Sequence, residues 1–347
     1  MKENTQPVEV TANAAVVESE TERRLEVRLS DDFEPLGSEY NLLQGFHFGS
    51  KPTLHDHPAI ISLRLPPLGR DQLFENWWYK GEITYSRSGP VRIAECRDYT
   101  MASVQKEADP SVDFRTQTHQ TYSELLSAVR STTHTKLTKI WNYFSDINCG
   151  DEDFEKYRQF SIGRAEAFEE MGIGDVDAPT GTAIGSQDGS GLSFIALASN
   201  RDFYAVENPR QVSAFNYPRK YGPSSPKFSR GGFVSSNCHK LFLISGTAAV
   251  VGHESNFPYN THLQSKETFK NLEYLCEAIS SLVSGETQFA LDENSILRVY
   301  LKNPEDYYSI STKIGRKIIS DKHHVAFLHG TICRKELTIE IDGVKIT

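Results

Sequence analysis

Strand-like and helix-like patterns of apolar residues follow one another in the last third of the chain. In Lys266–Val283 apolar residues recur on one face at helical spacing, and Pro304–Ile318 opens with a proline, which the first helical turn tolerates. Four other runs are apolar and have the length of strands: Leu241–Val251, Ile296–Leu301, Val325–Leu328 and Leu337–Ile341. The predicted order is β-α-β-α-β-β, an α+β arrangement with helices packed on one face of a sheet.

Residues 25–140 show a different pattern, in which short apolar runs are separated by prolines and glycines. This pattern predicts strands, of which the clearest are Ala59–Leu65, Trp77–Tyr85 and Val91–Ala94. Thr121–Ile140 and Asp151–Met171 carry apolar residues at helical spacing and are predicted to be helices. Pro179–Gly191 contains four glycines and is predicted to be a loop.

Composition narrows the choice of function. The chain has 347 residues and a formal net charge of −9, which argues against a nucleic-acid-binding protein that depends on neutralising phosphates. A small anionic substrate remains compatible with this charge, because a few arginines outweigh it inside a cleft. Five cysteines, an odd number, and the lack of a signal-like or membrane-length apolar run predict a cytosolic protein without disulfides. Residues 1–24 are polar and acidic and are predicted to be a disordered tail.

Two motifs suggest a cofactor or a metal but lack essential parts. Gly181–Gly191 is glycine-rich, but it is neither GxGxxG nor a P-loop, since the Lys-Ser/Thr ending is missing. His55 and His57 would share one face of a strand, yet a metal site needs at least three converging ligands and none follows nearby. The sequence therefore predicts neither a metal nor an organic cofactor.

Three polar stretches embedded among apolar residues are candidates for a binding site. They are Trp141–Asn148, the neighbourhood of Arg164 in the predicted central helix, and Tyr217–Arg230. Arg164 or Arg230 could bind a carboxylate through its planar guanidinium. From position alone, Arg164 could equally be an exposed helix residue.

Glu340 lies between two isoleucines in the last predicted strand and shares a face with Thr338 and Asp342. If that face meets solvent, Glu340 is an ordinary surface carboxylate. If it faces a cleft, desolvation would raise the pKa of its carboxyl, as a general acid at neutral pH requires. Strand periodicity leaves both alternatives open.

Residues 241–343 resemble the RidA/YjgF domain. The resemblance rests on a strand that ends in Ser245–Ala248, a helix with Asn271-Leu272, the strand Val299–Leu301 and a closing strand at Ile339–Ile341. It implies a mixed β-sheet with helices on one face for this part of the chain.

A longer series of motifs is similar to the chorismatases, which carry a RidA-like domain beside a related N-terminal half. The motifs are WNYFSDIN (141–148), YRQFSIGRAEAF (157–168), VENPRQVSAFNYPRKYGPSSPKFSR (206–230), LFLISGTAAVVGH (241–253) and CRKELTIEIDG (333–343). The resemblance implies two RidA/YjgF-like halves. The expected divisions are an N-terminal RidA-related domain at 25–150, a central helix with active-site loops at 151–230, and a C-terminal domain at 231–347.

The chorismatase resemblance assigns roles to particular residues. It implies that Arg164 and Arg230 hold the two carboxylates of chorismate, with Tyr143 and Tyr217 as hydroxyl partners. Glu340 corresponds to the family's glutamate, which would protonate the methylene carbon of the enol ether. Gly246 and Thr247, at the end of their strand, are placed with the substrate-binding residues.

The resemblance also points to one of two product branches. Gly246, where the hydrolytic branch tends to have alanine, and Cys333, seven residues before the acid, resemble the branch that forms 3-hydroxybenzoate. Cys333 could instead be a small buried apolar residue, and Gly246 could serve only close strand packing.

The expected function is conversion of chorismate to 3-hydroxybenzoate and pyruvate without a cofactor. Hydrolysis to 3,4-dihydroxycyclohexa-1,5-diene carboxylate and pyruvate is the nearest alternative, and a RidA-like protein that binds metabolites without catalysis is another. The expected partner is the small substrate alone, with no nucleic acid or membrane. Monomer and homotrimer both remain open.

Overall fold

A computed structural model of the chain describes residues 24–189, 191–236, 239–283, 289–317 and 324–347. These residues form three large β-sheets with helices on their outer faces. Nearly all of the predicted tail, residues 1–23, lies outside the described residues, so that prediction stays open.

The first sheet has four strands in the order β1-β4-β2-β3, with β2 and β3 parallel and the other pairs antiparallel. Its strands are β1 (Leu25–Ser30), β2 (Tyr40–Gly49), β3 (Ile60–Leu63) and β4 (Gln72–Lys80). The middles of β2 and β4 are buried, because one side of this sheet faces the other two sheets.

The second sheet has seven strands in the order β18-β9-β8-β10-β7-β6-β5. They are β5 (Thr84–Ser88), β6 (Val91–Glu95), β7 (Tyr99–Lys106), β8 (Lys136–Ser145), β9 (Thr180–Ser186), β10 (Leu192–Ser199) and β18 (Thr331–Ile332). Helices α1 (Phe114–Arg130) and α2 (Lys156–Glu170) cover its outer face, where Tyr122 and Phe160 pack against Phe194. Asp113 begins α1 by accepting a hydrogen bond from the Thr116 amide.

The third sheet has six strands in the order β11-β12-β13-β19-β16-β17, covered by two helices. The strands are β11 (Phe203–Val206), β12 (Gly231–Ser235), β13 (Lys240–Ala248), β16 (Ser295–Leu301), β17 (Val325–His329) and β19 (Ile339–Ile346). The helices are α3 (Thr261–Leu282) and α4 (Tyr307–Lys317). A separate ribbon pairs β14 (Val250–Val251) with β15 (Glu254–Ser255).

The α+β class and the β-α-β-α-β-β order of the last third are confirmed. Helix α3 begins five residues before the predicted Lys266, because the Asn260 side chain caps its first turn. The predicted helix end at Ile318 lies outside the described residues. Within the described chain no helix is both long enough and apolar enough to cross a membrane.

The helix predicted for Thr121–Ile140 is wrong in its second half. α1 ends at Arg130, and residues 136–140 begin strand β8 instead. Leu137 and Ile140 have helical spacing, but β8 pairs with β9 and β10 on both sides, so tertiary pairing overrides the local pattern. Lys139, which reads as an exposed helix position, is fully buried in this strand.

The loop predicted for Pro179–Gly191 is wrong for residues 180–186, which form β9 between β8 and β18, whereas Gly189 and Gly191 after the strand have positive φ angles of 70° and 66°. Within β9, glycine is needed for close approach rather than for a turn. A Cβ at Gly185 would lie 2.6 Å from a methyl carbon of Ile147 and 2.9 Å from the Thr331 side chain. The strand therefore uses glycines to bring neighbouring segments together.

The three sheets enclose a shared core, to which the first contributes Phe46, the second Trp141 and the third Tyr300. The seven-stranded sheet takes strands from both sides of residue 150 and ends in β18, from the last 20 residues of the chain. The domain division at residue 150 thus stays a prediction, but the sheets do not follow it.

Candidate active site

A cavity of about 460 Å³ lies between the six-stranded sheet, the start of α2 and the segment that joins β11 to β12. This volume suits a small metabolite. Five of the eight residues predicted from the sequence line it: Tyr217, Arg230, Gly246, Cys333 and Glu340.

Glu340 lies in the middle of β19, where its register partners are Ala248 on β13 and Tyr300 on β16. It is 4% exposed, so the solvent-facing alternative is wrong. Burial, and then the nearby Asp342 carboxylate, raise the pKa of Glu340 to about 8 against the opposing effect of Lys139 and Arg230. At neutral pH this side chain is therefore mostly a neutral carboxylic acid that can donate a proton into the cavity.

Gly246 makes room for that carboxyl group. β13 has an irregularity between Ile244 and Thr247, which turns the Gly246 backbone toward β19. A Cβ on Gly246 would lie 1.9 Å from Oε1 of Glu340 and 2.8 Å from its Cδ. Any larger residue must therefore displace the acid from its present position.

Cys333 follows β18 and lines the same cavity, so its thiol and the Glu340 carboxyl are presented from two different sheets. Burial, and then the charge of Glu340, raise the pKa of the Cys333 thiol to about 12, against an opposing hydrogen bond with Tyr157. The thiol is therefore protonated at neutral pH and can take part only as a neutral S–H group.

The Arg230 guanidinium has neutral hydrogen-bond partners, although the backbone N–H of Arg230 donates to Oε1 of the nearby Glu207 at 3.3 Å. Its Nη2 donates to the Tyr217 hydroxyl at 2.6 Å and to the Val212 carbonyl at 2.9 Å. The guanidinium carbon lies 5.0 Å from the ring centre of Phe228, and Nε has no partner within the described chain. Arg230 thus presents a positive charge, with unused donor capacity, at the wall of the cavity.

Arg334 is a second cation of the same kind, and it is one that the sequence reasoning missed. It stacks 4.0 Å above the ring of Tyr221 and donates to the His253 carbonyl and the Ser255 hydroxyl. Neither Arg230 nor Arg334 forms an ion pair with a carboxylate among the described residues, whereas Arg158, Lys220 and Lys335 at the cavity do. Two arginines without counter-ions match a ligand with two negative charges.

Arg164 lies on α2 but does not line the cavity. It is 3% exposed, so the alternative of an exposed helix residue is wrong. Its guanidinium stacks 4.7 Å above Phe160, and Nε and Nη2 are buried without a partner in the described chain. Its interaction with Tyr157 places its charge behind the cavity wall.

Tyr143 and Thr247 also lie away from the cavity. The Tyr143 hydroxyl accepts a hydrogen bond from Nη1 of Arg298 and lies 3.0 Å from the Tyr300 hydroxyl in the shared core. Thr247 donates to the Ser245 carbonyl at 2.9 Å. The structure does not bring these two hydroxyls to the position where a substrate would lie.

Several lining residues were not singled out from the sequence, among them Tyr157, Gln211 and Arg334, whereas Tyr221 belongs to the candidate stretch Tyr217–Arg230. These three residues lie within the motifs that carry the family resemblance. The position of Arg334 directly after Cys333 was the clearest available signal. His55 packs against His47 and Phe74, and the described residues contain no group of three side chains that could hold a metal ion.

Comparison with known proteins agrees with this architecture. Residues 75–198 match the family described as chorismatase FkbO/Hyg5-like, N-terminal. A 3-hydroxybenzoate synthase from Streptomyces hygroscopicus is 29% identical over 304 residues, which cover 84% of this chain and 87% of that protein. A chorismatase from Streptomyces rapamycinicus is 32% identical over 228 residues, which cover 64% of this chain and 68% of that protein.

The crystal structure of a chorismatase superposes with a TM-score of 0.82 and 26% identity, covering 92% of this chain and 98% of that one. Relatives and structural neighbour alike are enzymes by name, and the fold extends over nearly the whole chain. The protein is accordingly an enzyme of the class these comparisons define. It belongs to the chorismatase family.

Proposed function

We propose that this protein converts chorismate to 3-hydroxybenzoate and pyruvate. The observation that carries the proposal is a buried acid, Glu340, which is neutral at pH 7 and faces a cavity that also contains two arginines without counter-ions. Chorismate is a small dianion with an acid-labile enol ether, so both its charge and its chemistry fit such a cavity.

Arg230 and Arg334 would bind the two carboxylates. Both guanidinium groups lie near the ring of Tyr217, at 5.5 Å for Arg230 and 5.1 Å for Arg334. Arg230 has an unused Nε donor, and both side chains are fixed by aromatic stacking, so binding costs little side-chain entropy. Arg164, which does not line the cavity, would attract the substrate only through its positive charge. This effect is smaller than a direct contact with a carboxylate.

Glu340 would transfer its proton to the methylene carbon of the enol ether. On the hydrolytic branch water would add to the oxocarbenium carbon, and the hemiketal would collapse to pyruvate and the ring alcohol. On the 3-hydroxybenzoate branch the ring C–O bond would break with its electron pair going to the departing pyruvate oxygen, the neighbouring ring hydroxyl oxygen would bond to the vacated carbon and give up its proton, and opening of this epoxide would give the aromatic phenol. Carbon is a slow proton acceptor, so a positioned acid in a partly dehydrated site accounts for a large part of the acceleration. Acid catalysis of this kind requires no metal and no organic cofactor, and we expect activity to survive dialysis against a chelator.

The product branch is the finer part of the proposal. Forming 3-hydroxybenzoate and pyruvate consumes no water overall, whereas the diene acid forms by hydrolysis. Cys333 lines the cavity with Glu340, and the missing Cβ of Gly246 leaves the space that the Glu340 carboxyl occupies, so a neutral thiol and a carboxylic acid would both face the ring. The 29% identical relative named 3-hydroxybenzoate synthase supports this branch over the hydrolytic one.

The decisive experiment identifies the products formed from chorismate. An aromatic phenolic acid together with equimolar pyruvate is expected, and chromatography with ultraviolet spectra distinguishes it from the non-aromatic diene acid. Pyruvate with only the diene acid would assign the hydrolytic branch. No pyruvate above background would instead indicate a metabolite-binding protein without this activity.

Cys333→Ala tests how the branch is chosen. We expect it to shift the product toward the diene acid, because the thiol next to the ring would no longer be available for proton movement. Cys276→Ala is the matched control, since Cys276 is a buried thiol in the helix-covered core of the third sheet. Retention of 3-hydroxybenzoate as the sole product of Cys333→Ala would remove Cys333 from the mechanism.

The expected partner remains the small substrate alone, in a cytosolic protein that is a monomer or a homotrimer. The three sheets of one chain already enclose one core. This favours the monomer, which sedimentation velocity would distinguish from a trimer by a threefold difference in mass.

A further inference from the structure

A second group of ionisable side chains lies directly behind Glu340, on the side away from the cavity. Asp342 is two residues further along β19, so its side chain lies on the same face of the sheet. It is 1% exposed, and Lys139, which approaches from β8 of the neighbouring sheet, is 0% exposed. Neither residue lines the cavity, and the proposed reaction does not yet use them.

Lys139 joins the two sheets. Its Nζ donates to the Ile244 carbonyl of β13 at 2.7 Å and lies 3.7 Å from Oδ2 of Asp342. The same Oδ2 accepts a hydrogen bond from the Thr182 hydroxyl of β9 at 2.5 Å. Oδ1 of Asp342 is buried without a hydrogen-bond partner in the described chain, so this carboxylate is incompletely neutralised.

The charges in this region limit what Glu340 can do. Two carboxyl groups, Glu340 and Asp342, share one buried lysine. An unpaired buried charge is costly, so only one of the two carboxyls can ionise at little cost. Lys139 lies within ion-pair distance of Asp342 but not of Glu340, and the Thr182 hydroxyl also donates to Asp342. The proton therefore stays on Glu340.

We propose that Asp342 and Lys139 are positioning residues that set the protonation state of Glu340. The negative charge of Asp342 favours the protonated form of the Glu340 carboxyl, and the positive charge of Lys139 opposes this effect. The inference rests on the proposed function, because it assumes that Glu340 is the proton donor. The functional site would then include Lys139 on β8 of the neighbouring sheet, a residue outside the motifs that carry the family resemblance.

Other groups also act on Glu340 from the surrounding elements. Arg230 precedes β12 and opposes protonation, as Lys139 does. Arg298 on β16, Glu75 on β4 and Tyr143 on β8 act on Lys139 or Asp342, and Glu207 acts on Arg230. Further titratable or charged neighbours are Tyr157 on α2, Tyr300 on β16, Tyr217 in the segment before β12, and Cys333, Arg334 and Glu336 in the segment after β18. A substrate carboxylate that pairs with Arg230 would neutralise its positive charge. Substrate binding should therefore increase the proton affinity of Glu340.

A purely structural role for Asp342 makes a different prediction. As a structural residue it would change stability and the fraction of active enzyme, but not the pH at which activity is lost. As a positioning residue it must move that pH. The alkaline limb of the kcat/KM profile, which reports ionisation of the acid in the free enzyme, is therefore the informative measurement.

The experiment measures pyruvate release from chorismate against pH for Asp342→Asn, Lys139→Met and Thr182→Val. Asp342→Asn keeps the size and the hydrogen bond to Thr182 but removes the charge, so the limb should move to lower pH by about one to two units. Lys139→Met should move it to higher pH. Thr182→Val is the uncharged control and should move it by less than about half a unit.

Opposite shifts of the alkaline limb in Asp342→Asn and Lys139→Met would support the proposal. An alkaline limb that stays at the wild-type pH in both variants would overturn it. The infrared band of the protonated carboxyl, assigned by its loss in Glu340→Gln, gives the same titration without substrate. If wild type releases no pyruvate, the proposed function fails while this band still tests the charge coupling. If Asp342→Asn does not fold, the direction of the Lys139→Met shift decides.

Discussion

Two buried glutamates lie near the same face of the six-stranded sheet, and they show what makes a carboxyl group reactive. Glu75, on β4, is 1% exposed and Glu340 is 4% exposed, so burial hardly distinguishes them. Glu75 accepts two hydrogen bonds of 2.6 Å from Arg298 and one of 2.8 Å from Trp77. Glu340 has no hydrogen-bond donor among the described residues and carries a pKa of about 8.

The difference lies in pairing. A bidentate arginine, itself 4.3 Å from the Phe46 ring, holds Glu75 in a closed ion pair that serves the core. Glu340 faces a cavity, with a second carboxylate, Asp342, near it and with Lys139 paired to that second carboxylate. The same residue type thus closes an ion pair in one place and, in the function we propose, supplies a proton in the other.

The largest effect is expected from Glu340→Gln, which removes the transferable proton and little else. Turnover should fall by about 10²- to 10⁴-fold, the range typical of a lost general acid, while substrate binding persists. Steady-state pyruvate release and binding of chorismate by calorimetry measure the two properties separately. A variant with wild-type kcat would exclude Glu340 as the acid.

The second prediction concerns stability, which should change in opposite directions at the two glutamates. Glu75→Gln leaves Arg298 buried with half of its ion pair, and should lower the free energy of unfolding by about 3–5 kcal/mol. Per folded molecule its kcat should stay near that of wild type. Urea unfolding measures the first quantity, and activity corrected for the folded fraction measures the second.

Glu340→Gln should instead stabilise the protein. The native state holds a proton that the unfolded state releases between the ordinary carboxyl pKa and about 8, so wild-type stability falls as pH rises through that window. Glutamine has no such penalty, and its advantage should reach about 3 kcal/mol at pH 7, fall to about 1 kcal/mol at pH 5 and vanish at still lower pH. Equal loss of stability in both glutamine variants would contradict the comparison.

Substitution of the arginines is expected to have a smaller effect, on KM rather than on kcat. Arg334→Met should raise KM by about tenfold or more, since a charge-assisted contact to a carboxylate is worth roughly 1.5–3 kcal/mol. Arg164→Met, the matched control on α2, should leave KM within about threefold because Arg164 does not line the cavity. A larger increase in KM for Arg164→Met would indicate that Arg164 binds a substrate carboxylate directly.

The smallest effect should come from Gly246→Ala. The added methyl displaces the flexible end of Glu340 without disturbing the backbone, so stability should change little. The misplaced acid should lower kcat by about tenfold, in line with the sensitivity of proton transfer to position. A crystal structure of the variant with Glu340 unmoved would refute this explanation for the glycine.

The sequence predicted the third sheet well because its apolar periods are strong and local. It failed at residues 136–140 and 180–186, where partner strands on both sides override helix-like spacing and glycine content. Glu340 could be placed in a strand, but not on its buried side, because the covering segment lies more than a hundred residues earlier in the chain. That segment includes Tyr217 and Arg230.

The same limit explains the residues that were misplaced or missed. Tyr143 stands in a family motif, but its hydroxyl is used by Arg298, a contact between residues 155 positions apart that no local pattern reveals. Arg334 was visible beside Cys333, yet its value depends on having no counter-ion, which only the folded structure shows. Sequence identified the candidate chemistry, and long-range pairing decided which candidates remained free to act.

The ion pair of Glu75 and Arg298 also has a consequence for biosynthesis. The two residues lie 223 positions apart, so at roughly 5–20 residues per second a ribosome needs about 10 to 45 s to supply the partner. During that interval the first sheet has emerged with a carboxylate that nothing can neutralise, and it should resist closing into its final packing. Nascent chains arrested before Arg298 should therefore remain protease-sensitive through β4, and become resistant once the arginine clears the exit tunnel.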